Sequence, residues 1–370
     1  MSSWSVPLPA LYFIIMLMQY QYSLYGRYAS AAAGGKEGGL TVTIAVAQIA
    51  ACAIYALVLW ALRFNPLTLQ RQKLPRLDRG DLLRLSLLST LYACAHSSGH
   101  FALTVGSHAF GQVVKAAEPV FSATVSATAY GATISKWRWL CIPLIVGGVA
   151  VSTLKRDASG AFAIALDLPV LVAGCVCNAF AAFRNCESKR MMRGGLSERL
   201  GSPSNQFAVT NVLALVASLP LMLAVEGVGG ATRFVELARA DPSFRYHMLV
   251  SGLLLYLYNE LTTLTIKRTS ALTASVANTG KRAFVIVGVA LATGKAVTSE
   301  EKLGATITIG SVLLYSMVDD LAGKPTMVKE RSRGEPGIRL QAAAKAPPKR
   351  MPPTKAPPPG MPPTGKAKLQ

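Results

Sequence analysis

Ten long apolar runs, joined by shorter polar connections, leave this chain few ways to fold. A run of ~20 residues at ~1.5 Å rise is long enough to cross a ~30 Å hydrocarbon core as a helix. The apolar residues come in blocks rather than at alternating or heptad spacing, so an all-α integral membrane protein is expected. Charge agrees: 15% of residues are Asp, Glu, Lys or Arg, against roughly 25% in soluble domains. The runs fall at about Pro9–Tyr25, Leu40–Leu62, Leu82–Val105, Ala109–Tyr130 and Trp139–Leu154 in the first half. In the second half they fall at about Ala161–Phe183, Gln206–Glu226, His247–Ile266, Ala271–Thr293 and Leu303–Leu321. Only Met1–Pro7 precede the first run, without Lys or Arg. Neither a cleavable signal nor a transit leader fits there, so the first helix is expected as an uncleaved anchor.

An even number of spans puts both termini on one side. Connections on that side hold thirteen Lys/Arg, and those on the other side hold nine. The segment from Gly323 to Gln370 adds eleven more, so both ends are expected in the cytosol by the positive-inside rule. Ten spans divide five and five, into residues 1–158 and 159–322. Five spans per half force opposite insertion, which is the inverted-repeat plan of many secondary transporters. Residues 323–370 repeat KAPP and MPPT and are rich in Pro and Lys, a composition that reads as a disordered tail. That tail is either simply solvated or a clamp on anionic lipid or a proline-motif ligand. The net charge of +20 fits lipid-facing loops. No basic platform interleaved with aromatics points to nucleic acid.

Two runs carry ionisable residues at bilayer depth. Ser107–Gly131 contains Lys115 and Glu118, and Ser270–Gly294 contains Lys281 and Arg282; the two have equal length and both begin with Ser and end with Gly. Such groups cost roughly 2.5–3.5 kcal/mol each on insertion scales and mark ion or substrate pathways. Lys115 and Glu118, at i and i+3, share a helix face and could neutralise each other as a structural pair. Lys281 and Arg282 have no acid within a turn, and the nearest on a neighbouring span is Glu260. These five groups sum to +1, or +2 with Arg184 at the end of the sixth span. Excess buried cation is unfavourable until an anion arrives, so an anionic substrate is expected. Arg and Lys together suit phosphate, one as a planar fork and one as a compact charge. Asn278, one turn before Lys281, can add a donor. Tyr258 carries a hydroxyl that wants a partner, in a site or between helices.

His96 and His100 lie four apart, but the acid of a zinc HExxH motif and a third ligand are both missing. A polar cavity lined by His fits better, and neither metal nor cofactor is expected. The six cysteines show no ligand spacing and read as small buried side chains. No nucleophile–base set points to an enzyme.

Four stretches then carry a resemblance. GQVVKAAEP, from Gly111 to Pro119, resembles the HxxKAxEP segment of the plastid phosphate translocators, the triose-phosphate translocator branch of the drug/metabolite transporter superfamily. FRNCESKRMM resembles that family's FRNxxSKKxM, LYNE its LYNQ, and SALTASVANTGKRAFVIV its SPLTHSVGNxxKRVxVIV, all in the same order. The resemblance implies ten helices in inverted repeats and antiport of inorganic phosphate with a phosphorylated three- to six-carbon metabolite. Triose phosphate, 3-phosphoglycerate and phosphoenolpyruvate lead that range. It implies that Lys115, Lys281, Arg282 and Tyr258 hold the phosphate, with Arg184 and His96 near the organic end of the substrate. It also implies a plastid-bounding membrane. The chain departs from the family at Gln112, Ala274, Glu260 and Gly99, where the family has His, His, Gln and Thr. A nucleotide-sugar transporter of the Golgi or endoplasmic reticulum on the same fold is the alternative.

Overall fold

The structure, a computed structural model, describes residues 7–35, 37–67, 69, 71–156, 162–164, 166–191, 196–266, 271–294 and 297–322. At 271–279 it describes the backbone alone. The proposed tail, 323–370, lies outside the described residues.

Helices occupy nearly all of it. The first half holds α1 (Leu8–Ala32), α2 (Thr41–Leu62), α3 (Arg79–Thr104), α4 (His108–Ala116), α5 (Glu118–Thr128) and α6 (Lys136–Val151). A short antiparallel hairpin follows, β1 (Leu154–Arg156) and β2 (Phe162–Ile164), with Lys155 opposite Ala163. Then come α7 (Leu168–Met191), α8 (Leu196–Leu200), α9 (Pro203–Val225), α10 (Gly227–Ala240), α11 (Pro242–Ile266), α12 (Ala271–Thr293) and α13 (Ser299–Leu321).

Three features differ from the sequence expectation. The run Ala109–Tyr130 is two helices, broken at Ala117. Pro119 has no N–H and its ring crowds the preceding turn, so α4 stops and α5 restarts with Pro119 in its first turn. The sixth span starts at Leu168 rather than Ala161, because Phe162–Ile164 pairs with β1. The connection 227–240, expected as loop, is helix α10. Its Phe234, Leu237 and Ala238 pack on a cluster of Ala29, Ile44, Phe244 and Met248, while Arg233, Glu236 and Arg239 face outward.

Helix ends are secured by side chains. Asp78 and Asp81 form a reciprocal capping box at the start of α3. Arg199 of α8 donates to both Asp81 oxygens, from Nε at 2.6 Å and from Nη2 at 2.5 Å. The start of α2 is capped from the far half of the chain. Glu226 accepts from the Val42 and Thr43 amides at 2.7 and 2.8 Å and from the Thr43 hydroxyl at 2.6 Å.

The most extensively packed helix pairs are α6 with α13, α3 with α7, α1 with α11, α2 with α9, α3 with α9, and α2 with α11; α5 also packs on α7, and α1 on α12. Glycine makes the α6–α13 seam tight. A Cβ on Gly148 would stand 2.6 Å from the Thr308 amide, and one on Gly304 2.5 Å from the Ser152 amide. Large apolar side chains cover the outside: Phe13, Ile54, Leu83, Leu140, Val216, Leu249 and Leu291, on seven different helices, are all exposed. Apolar cover of that extent suits lipid and is unfavourable in water. Among the described residues, Thr41–Leu62, Leu168–Ser188 and Pro203–Val225 are long and apolar enough to span a bilayer by length and composition alone.

Candidate functional site

The break at Ala117 puts Lys115 in the last turn of α4, where the exposed carbonyls favour a cation. Asn178 of α7 steadies that turn, donating to the Val114 carbonyl at 2.8 Å. The Lys115 ammonium lies against α3. A Cβ on Gly99 would come 2.9 Å from Lys115 Nζ. Glu118, at the first position of α5, turns toward α12 and α7. Its Oε2 accepts from Arg282 Nη2 at 3.0 Å and its Oε1 from Asn185 Nδ2 at 3.2 Å. Glu118 is thus the partner of Arg282; the expected local pair with Lys115 does not form. The Arg282 and Glu118 side chains are 21% and 32% exposed, so the pair borders an open space.

Lys281 sits with its ammonium 5.7 Å from the centre of the Tyr258 ring. Tyr258 is buried on α11 and stacks at a tilt on Tyr22 of α1, with centroids 5.4 Å apart. Arg282, Glu118 and Lys115 all lie within electrostatic reach of Lys281. Arg184 of α7 lies over the Tyr92 ring at 5.6 Å and donates from Nη2 to Asn185 Oδ1 at 3.2 Å. Tyr92 stacks on His96, whose Nε2 is 3.2 Å from Gln48 Oε1. His96 and His100 stack with centroids 6.4 Å apart, and His100 turns its Nε2 to Ser30 instead, at 3.4 Å. Asn278 is on the part of α12 whose side chains lie outside the described residues.

The structure therefore brings Lys115, Lys281, Arg282, Tyr258, Arg184, His96 and Glu118 to one region where α3, α4, α5, α7, α11 and α12 meet. Among the described residues, neither Lys115, Lys281 nor Arg184 pairs with a carboxylate. Glu260, counted above as a neighbouring acid, faces elsewhere. It is fully buried and accepts from Asn65 Nδ2 at 2.6 Å, and Asn65 also donates to Gln72. With Glu260 turned away, Lys115, Lys281, Arg282 and Arg184 face Glu118 alone, and the local excess of positive charge is +3 rather than the +2 of the sequence count.

Sequence reasoning passed over Asn185, Tyr92 and Gln48. Asn185 directly follows Arg184 in the FRNCESK stretch, and Tyr92 is one turn before His96, so both signals were present. Gln48 has no such signal, because it sits in a featureless apolar run.

Known proteins resemble the chain over most of these helices. It is 32% identical over 232 residues to glucose-6-phosphate/phosphate translocator 1, chloroplastic, of Arabidopsis thaliana, covering 60% of this chain and 56% of that one. It is 29% identical over 277 residues to phosphoenolpyruvate/phosphate translocator 3, chloroplastic, of Oryza sativa subsp. japonica, covering 74% and 66%. It is 26% identical over 283 residues to the triose phosphate/phosphate translocator, chloroplastic, of Pisum sativum, covering 74% and 64%. The chain thus spans under two thirds of the length of these curated relatives. The profile described as the Triose-phosphate Transporter family matches residues 13–316, from α1 into α13, and the chain belongs to that family.

Proposed function

We propose that this protein exchanges inorganic phosphate for a phosphorylated three- to six-carbon metabolite across a plastid-bounding membrane. The observation that carries the reading is the convergence of Lys115, Lys281 and Arg184 without a carboxylate partner among the described residues. A buried cation without compensation is costly, and a dianionic phosphate supplies the compensation. In this reading Lys115, Lys281, Arg282 and Tyr258 hold the phosphate. Arg184 and His96 face the carbon skeleton, and Asn278 is assigned to the same end by its place in the sequence. The relatives' names point the same way, since each of the three pairs phosphate with a sugar phosphate or phosphoenolpyruvate in a chloroplast.

The packing supports alternating access by two inverted repeats of five spans, with α4 and α5 together as the fourth span. Exchange each span with its counterpart five places on, and the most extensive contacts map onto one another. The α3–α7 contact becomes α11–α1, α3–α9 becomes α11–α2, and α5–α7 becomes α12–α1. The α2–α9 and α6–α13 contacts map onto themselves. A substrate at the middle of such an arrangement is reached from each face in turn.

The test is counter-exchange in liposomes that contain the purified protein and internal phosphate. External labelled triose phosphate, 3-phosphoglycerate, phosphoenolpyruvate, hexose phosphate and a nucleotide sugar are offered one at a time. Saturable uptake of at least one organophosphate is expected. Uptake of the nucleotide sugar alone would replace this reading with the nucleotide-sugar one.

A further inference from the structure

We propose that Asn185 is a positioning residue that fixes the Arg184 guanidinium relative to the phosphate site and thereby sets which carbon skeletons are accepted. The inference rests on the phosphate-exchange reading above and goes beyond it.

An unbroken chain of polar contacts crosses three helices. It runs from Arg282 on α12 to Glu118 on α5 at 3.0 Å, from Glu118 to Asn185 on α7 at 3.2 Å, and from Asn185 to Arg184 at 3.2 Å. The chemistry of the middle link settles its direction. An ionised carboxylate only accepts, so the Asn185 NH₂ must face Glu118. The amide oxygen is then left to face Arg184. Glu118 has one oxygen on Arg282 and the other on Asn185, so both ends of the relay are tied to the same carboxylate.

Arg184 is held in two ways. The guanidinium carbon lies over the Tyr92 ring, 5.6 Å from its centre, and one guanidinium nitrogen donates to the Asn185 oxygen. A cation over a ring fixes no direction for its individual N–H groups. Among the described residues, the bond to Asn185 is the contact that does. A guanidinium has five N–H groups in a fixed fork, so one tether dictates where the others point. The distance between the Arg282 end, which meets phosphate, and the Arg184 end, which meets the remainder of the substrate, is therefore set through Glu118 and Asn185. Misplacement of a binding group by about 1 Å is enough to cost about 100-fold in a positioned site. A length restraint of this kind discriminates between three- and six-carbon phosphates without touching either.

The experiment compares the wild-type protein with Asn185→Ala, Asn185→Asp, Arg184→Ala and the Arg184→Ala/Asn185→Ala double variant in liposomes. Phosphate–phosphate exchange and phosphate–organophosphate exchange are measured separately, with 3-phosphoglycerate and glucose 6-phosphate as the probes. For Asn185→Ala we expect the ratio of KM for 3-phosphoglycerate to KM for glucose 6-phosphate to change at least about threefold while KM for phosphate rises less than about threefold, and an unchanged ratio overturns the inference. Asn185→Asp keeps the volume and pairs Arg184 with a carboxylate, and a change of the ratio is expected there too. The double variant should match Arg184→Ala alone, because Asn185 acts through Arg184. Equal loss for phosphate and organophosphates overturns the inference, as do additive effects in the double variant or unchanged KM values. Failure of both Asn185 variants to exchange phosphate, beside an active wild type, overturns it as well. If the wild-type protein exchanges no phosphate, the functional reading itself fails, and that outcome is distinct.

Discussion

At the scale of single residues, the site depends on what is missing as much as on what is present. Gly99 leaves room for the Lys115 ammonium and the Cys177 thiol, and an added methyl would stand 2.9 Å from each. Both are side-chain ends rather than backbone, so Gly99→Ala should leave the fold intact and displace the charge. We expect phosphate exchange to fall about tenfold, equivalent to ~1.4 kcal/mol on the barrier, with unchanged elution of the detergent-solubilised protein on gel filtration. Lys281→Ala removes a cation that has no carboxylate partner among the described residues. It should abolish phosphate exchange without lowering Tm, and near-normal exchange would remove Lys281 from the site. Much of this residue set was legible in sequence, because Lys, Arg and Glu in an apolar run are conspicuous. The pairing was not. Local spacing suggests Lys115 with Glu118, but Glu118 reaches across to Arg282 on a helix remote in the chain. A search within one helical turn cannot find a partner that only tertiary packing supplies.

At the scale of helices, the apolar runs located the long helices because a bilayer imposes a length. Its resolution stopped at breaks and at surface helices. Pro119 was visible inside the fourth run, yet an apolar run alone does not say whether a proline bends a helix or ends it. Helix α10 was hidden because its charged residues dominate its composition, while only Phe234, Leu237 and Ala238 make its packed stripe. The cap on α2 gives a test at this scale. Glu226 satisfies two backbone amides and the Thr43 hydroxyl at once, from the other end of the chain. Loss of an N-cap costs ~0.5–2 kcal/mol. Glu226→Ala should therefore lower Tm by a few °C, read by fluorescence-monitored unfolding in detergent, while Glu226→Gln keeps part of the effect. An unchanged Tm for the Ala variant would show that water replaces the carboxylate fully.

For the whole molecule, the excess positive charge predicts coupling. A transporter that changes access must at some point seal its site from both faces. Sealing the empty site strips water from Lys115, Lys281 and Arg184 and returns nothing, whereas a bound phosphate offsets that loss. Each ~1.4 kcal/mol in the empty return slows it about tenfold. Labelled phosphate should therefore enter liposomes that hold internal phosphate at least ten times faster than liposomes that hold none. Equal rates would mean a uniporter or a channel.

The seam between α6 and α13 bears on how such a molecule moves. At Gly148 and Gly304 backbone meets backbone and no side chain projects from the glycine, so at these two points there is no ridge to lift out of a groove when one helix turns on the other. Such a seam acts as a bearing: it resists separation and permits rotation. If the two halves rock about this line, tying it together costs the transport cycle nothing. Ile145 and Val312 meet in one buried cluster across the same two helices. An Ile145→Cys/Val312→Cys disulfide should leave phosphate exchange within about twofold of the reduced protein, a barrier change under ~0.5 kcal/mol. A block that reductant relieves would place the axis of motion elsewhere.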